Sequence, residues 1–167
     1  MCRTNRTPPA NGTNFSAKLD ELAATPARFA EIAVSIAPSQ WTSRAMDGNF
    51  SLLEHACHLR DIEIEAYRAR IERMLAETAP TLADVDGAQL ARARDYQRQD
   101  LAKAQAVFAA VRGDMVQRLA GLSVQQRRRT GTLEGIGEIT IEGLVSKMLE
   151  HDAEHLVDLD QLRRDLA

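Results

Sequence analysis

Apolar residues recur every three or four positions along four separate stretches of this chain, and that rhythm decides what it can fold into. Phe15, Leu19, Leu22, Pro26, Phe29, Ala33 and Ile36 form the first stretch. The third is Leu101, Ala104, Phe108, Val111, Met115 and Leu119, and the fourth runs Ile141, Leu144, Met148, His151, His155, Leu159, Leu162. A period near 3.6 places each set on one face of an α-helix. The second stretch, from Leu52 to about Thr78, carries two faces: Leu53, Cys57, Ile64, Tyr67, Ile71 and Met74 on one, Leu52, Ala56, Leu59, Ile62 and Ala66 on the other. No segment alternates convincingly in the manner of a strand. The pattern predicts an all-α chain folded as a four-helix bundle.

Local signals place the ends. Ser51 with Glu54 three residues on is a capping box, and Thr140 is the expected cap of the fourth helix. Pro26 falls inside the first rhythm without breaking it, which predicts one long helix kinked there. That helix stops near Pro38, and a loop with the sole tryptophan, Trp41, leads to Gly48. Residues 1–13, with Pro8 and Pro9, read as a mobile tail before a single domain spanning 14–167. Between helices two and three lies a connection of roughly twenty residues with Pro80, Gly87 and a short helix at Ala88 to Asp95. Its length lets those two helices run parallel, so simple up-down-up-down order is not required. The segment SVQQRRRTGTLEGIGEI reads as a glycine-punctuated loop.

A chain of 167 residues, 44% hydrophobic, buries a full core without disulfides. The net charge of −3, with both signs interleaved, gives no electrostatic case for nucleic acid or an anionic membrane. Arg127, Arg128 and Arg129 read as a solvated connection. No stretch approaches the roughly 20 apolar residues of a membrane span, and the N-terminal residues show no signal region, so the expected address is cytoplasmic. Cys2 and Cys57 make no disulfide framework, and Cys57 is expected to be a packed thiol. Apolarity on two sides of helix two predicts burial on two sides, which we read as a homodimer interface.

The fourth stripe is interrupted by two imidazoles. His151 and His155, at i and i+4, point the same way and can both reach one ion at about 2.0–2.1 Å. Two buried imidazoles are costly without partners. The other histidines, His55 and His58, border an apolar stripe of helix two, and spacing leans only slightly toward His58 as the third ligand. Glu54, Asp61 and Glu65 lie on its flank as acceptors that could orient its ring. HDAEH also fits the inverted zinc-peptidase pattern, but only twelve residues follow it. A di-iron carboxylate bundle would need paired Glu-x-x-His motifs, which are absent.

FSLLEHACHLRDIE at 50–63 and ITIEGLVSKMLEHDAEHLVDLDQL at 139–162 together resemble the signatures of the DinB-like superfamily of small metal-binding four-helix proteins. TPARF in helix one and RTGTLEGIGEIT before helix four extend the similarity over most of the chain from about Leu19. The resemblance implies a bundle that departs from simple up-down order, often a homodimer, with one divalent ion per chain on three histidines; imidazole ligands suit Zn, Ni or Fe and leave its identity open. Carried onto this sequence, the ligands are His58, His151 and His155. His55 falls where an apolar residue is more usual, and Phe50 where tryptophan is frequent, a change expected to affect packing only.

Three neutral imidazoles leave open coordination positions, the arrangement of a reactive site. The resemblance favours a metal-dependent enzyme of thiol S-transferase type, acting on a low-molecular-weight thiol (bacillithiol, mycothiol or glutathione) and an electrophilic small molecule. Asp61, Glu65 and Glu154 are the candidate proton acceptors. The alternatives are a metal-dependent hydrolase and a non-catalytic, stress-associated metal-binding module; nothing resembles a nucleic-acid module.

Overall fold

A computed structural model describes residues 11–45 and 49–167, with side chains from Phe15 onward. Most of the expected tail, Cys2 and Gly48 lie outside the described residues. Helix α1 (Asn11–Ala33) begins four residues before Phe15, contains Pro26, and is followed by a turn and a 3-10 turn at Pro38–Gln40. Its stripe is the expected one except at Pro26, which is half-buried: Phe15, Leu19, Leu22, Phe29, Ala33 and Ile36 are all buried.

Helix α2 (Leu52–Ile62) starts at the Ser51–Glu54 capping box, with both reciprocal bonds made. It passes through a π-helical turn at Glu63–Arg68 into α3 (Ala69–Ala76), so the second stretch is one rod with a wide turn in its middle. A π turn holds an extra residue and shifts the phase of everything beyond it. Here Glu63 becomes buried while Ile64 is only half-buried, against the uniform stripe that a constant 3.6 period predicts. The short helix is α4 (Gly87–Ala93), capped by Asp86, and a 3-10 turn follows at Tyr96–Arg98. Next come α5 (Leu101–Ala120), capped by Asp100; α6 (Val124–Arg127); and α7 (Ile141–Asp165), capped by Thr140 as expected.

The bundle order follows from which halves of the helices share a core. One apolar cluster joins Phe15 to Leu22 of α1, Ile62 to Met74, Met115 and Leu119 of α5, and Ile141 to Met148 of α7. The other joins Phe29 and Ala33, Leu52 to Leu59, Leu101 to Phe108, and Leu159 and Leu162. The start of α1 and the start of α7 therefore lie at the end where α3 and α5 finish. The order is up, down, down, up, and the rod of α2 and α3 is parallel to α5, as the long connection between them permits.

Between the two clusters runs a charged layer with one residue from each of the four long helical segments. Arg112 of α5, only 1% exposed, donates through Nε and Nη2 to both Glu63 oxygens at 2.9 Å. It also reaches Asp152 of α7 at 2.5 and 3.1 Å and the Leu22 carbonyl at 3.1 Å. All five guanidinium N–H groups are thereby used. Thr25 of α1 donates to Asp152 at 2.7 Å.

Two expectations are corrected, and a third loses the basis it was given. Both apolar faces of α2 are covered within the chain, in part by α4 and the Tyr96 turn, with every residue from Ser51 to Leu59 buried. Two-sided apolarity therefore carries no argument for a second copy. The segment before α7 is not simply a loop: β2 (Thr130–Leu133) and β3 (Gly137–Thr140) form an antiparallel hairpin, and β1 (Thr81–Leu82) adds to β2 in parallel. Gly135 and Gly137, at φ 75° and 102°, supply the left-handed backbone that its turn needs. Finally, the arginine run is not merely solvated. Arg129 donates to the Met74 and Glu77 carbonyls at 2.5 and 2.6 Å, capping the end of α3, and Arg127 lies over the Phe15 ring. Among the described residues no helix is long and apolar enough to cross a membrane.

Candidate metal centre

Just beyond the charged layer, α2 and α7 run antiparallel and bring all four histidines together. His58 Nε2 lies 3.1 Å from His151 Nε2, and His155 Nε2 lies 3.1 Å from the same atom. One proton on His151 Nε2 cannot serve two neighbours along two directions, so hydrogen bonding leaves this triangle unsatisfied. A cation satisfies it. Ligands held at about 2.1 Å lie about 3.0–3.4 Å apart in octahedral or tetrahedral geometry, and the ligand atoms of His58, His151 and His155 all fall within 4.8 Å of one another.

The electrostatics agree. Burial, reinforced by the neighbouring imidazoles, pushes His55 and His58 down to about 3. Burial and the neighbouring His155 and Arg112 do the same for His151, and burial lowers His155 as well. The rings are neutral at pH 7 and offer lone pairs.

Packing fixes the rings. Phe50 stands edge-on to His55 at 5.6 Å and tilted against His58 at 5.2 Å between centroids, so it shapes the site directly and does more than fill space. Tyr67 sits edge-on to His151 at 5.8 Å. Gly87, the first residue of α4, abuts His58: a Cβ there would lie 2.3 Å from Cε1 and 2.8 Å from Nδ1. That Nδ1 is buried without a hydrogen-bond partner.

The expected carboxylates fare differently. Asp61 does not turn to His58, because Arg60 Nε, Tyr96 Oη and Arg94 Nη1 occupy both its oxygens at 2.7, 2.7 and 2.8 Å. These donors hold its carboxyl below the usual range despite burial. Glu65 is paired with Arg94. Glu154 is exposed and does not line the cavity beside the histidines. The carboxylate that does meet the cluster is Asp158, grouped with His55 and His155 within 4.8 Å. Sequence reasoning passed over it, although it follows His155 by three positions and so shares its face. Asp158, His55, His155, Phe50, Gln161 and Asp165 help line a cavity of about 310 Å³. Cys57 is fully buried, its thiol pushed up to about 11 by burial, and is a packed residue as expected.

The sequence model of the DinB superfamily matches residues 21–158. The chain belongs to the DinB superfamily. This DinB chain is similar in structure to YfiT from Bacillus subtilis, described as a probable metal-dependent hydrolase with an unusual four-helix bundle topology. The two share 20% identity, with a TM-score of 0.85 over 97% of this chain and 93% of YfiT, a likeness of fold. No curated protein matches the chain. Within the DinB bundle seen here, the helix-two and helix-four histidines named from the resemblance, His58, His151 and His155, are those the fold brings together, and His55 joins them.

Proposed function

We propose that the chain is a metal-dependent hydrolase in which His58, His151 and His155 hold one divalent ion and Asp158 is the proton acceptor. The placement of Asp158 carries this reading. It lies at the cavity side of the histidine cluster, and no hydrogen bond or ion pair ties it to another described side chain. A divalent ion bound there would polarise a carbonyl and lower the pKa of water toward 7. Asp158 takes the proton of the attacking water, a role typically worth 10²–10⁴-fold in rate. Phe50 and Leu162 give the cavity an apolar wall for the substrate. Imidazole ligands suit Zn, Ni and Fe alike.

Thiol S-transfer, the expectation from the resemblance, fits this cavity less well. Of the low-molecular-weight thiols concerned, glutathione and bacillithiol carry carboxylates, whereas the described charged lining residues are Asp158 and Asp165, with no cation among them. The test is a pair of panels on metal-loaded protein: esters and amides, and thiols with electrophiles. We expect turnover in the first, with Asp158→Asn losing at least about 10²-fold in kcat while keeping its metal. Turnover in the thiol panel alone would replace hydrolysis by S-transfer. Silence in both, with one ion bound per chain, would leave a binding module. Equal metal in the parent and His151→Ala would show that the ion sits elsewhere.

A further inference from the structure

His55 is the member of the cluster with no assigned part. It precedes His58 by one turn of α2, is 3% exposed, and places Nδ1 at 2.9 Å from Nδ1 of His155. Two neutral imidazoles facing at that distance share one proton, with an N–H on one side and a lone pair on the other. The reading of His155 as a ligand decides which. Its Nε2 points into the triangle, 3.1 Å from His151 Nε2, and must carry a lone pair to bind a cation. The proton of His155 therefore sits on Nδ1, and His55 Nδ1 is the acceptor. The proton of His55 is left on its Nε2, the nitrogen not engaged by His155.

We propose that His55 is a positioning residue that locks His155 in the Nδ1–H tautomer and aims its Nε2 at the metal. The proposal rests on the three-histidine site. Ligating imidazoles characteristically donate their second nitrogen to an outer partner, and losing that partner typically costs 10–100-fold in metal affinity. Phe50, edge-on to the His55 ring, holds the acceptor in place. A second ion on His55, His155 and Asp158 is the competing use of the same atoms. It would require lone pairs on both nitrogens of His155 at once, an imidazolate, which neutral rings in an apolar setting resist.

The test uses the full chain with Zn²⁺ and Co²⁺ as probes and compares His55→Leu with His55→Asn, whose amide oxygen can stand near the Nδ1 position. One ion should bind the parent. His55→Leu should weaken Zn²⁺ binding by about 10–100-fold and alter the Co²⁺ ligand-field spectrum, while His55→Asn restores both toward the parent. Three results would overturn the proposal: unchanged affinity in His55→Leu, an equal loss in His55→Asn, or two ions in the parent falling to one in His55→Leu. A parent that binds no ion would instead defeat the three-histidine site itself, whatever His55 does.

Discussion

Gly87 is set by what stands in front of it. A methyl group there would lie 2.3 Å from His58 Cε1, and so would displace either the ring or the start of α4. Gly87→Ala should therefore weaken Zn²⁺ binding, by roughly the 10-fold or more that disturbing a ligand's support costs, with little change in helix content; calorimetric titration beside circular dichroism would show it. Residues differ in how openly they declare such roles. His151 and His155 were legible because an imidazole on an apolar stripe is an anomaly, and the resemblance added His58. Asp158 was not, because an acid on a helix also reads as solvated face until the cavity shows what it adjoins. Asp61 misled for the converse reason: spacing put it near His58, but Arg60, Arg94 and Tyr96 had claimed it.

At the scale of elements, α2 and α7 each bring two imidazoles to one interface, and this couples the helices to pH. Unfolded histidines take up protons near pH 6.5, whereas burial holds His55, His58 and His151 to about 3. Between those values the unfolded chain binds more protons, so stability is complete above about 6.5 and is lost as the pH falls. The metal-free protein should melt at progressively lower temperature from pH 7 to pH 5, and Zn²⁺ should raise the melting point most at the upper end, where protons compete least. A melting point independent of pH over that span would show that the rings are not shielded. The elements themselves were largely readable, since caps and apolar rhythm mark their ends. Two were hidden. The π turn escapes any argument that assumes 3.6 residues throughout. The hairpin's four-residue strands give too short an alternation to stand out beside Gly131, Gly135 and Gly137. Gly131 in fact marks a close approach, for a Cβ there would come within 2.9 Å of Leu82 and 3.1 Å of the Pro80 carbonyl.

Across the whole molecule, the pairing of Arg112 with Glu63 and Asp152 is the largest electrostatic commitment in the core. Arg112→Met leaves two buried carboxylates without their cation, and we expect a loss of about 3–5 kcal/mol in urea unfolding. Adding Glu63→Gln and Asp152→Asn should recover part of it, since neutral amides are cheaper to bury. Bundle order was partly legible, because a connection of this length releases helices two and three from antiparallel packing, but a layer drawn from all the long helices has no signature within any one of them. Its consequence is mechanical. Apolar ridges can settle into neighbouring grooves one turn, about 5.4 Å, along with modest penalty; a guanidinium locked to partners on three other segments cannot. Glu63 lies five residues from His58, and Asp152 adjoins His151. The layer works as a dowel driven crosswise through the bundle, and the alignment of the imidazoles along the bundle axis is held from that pin.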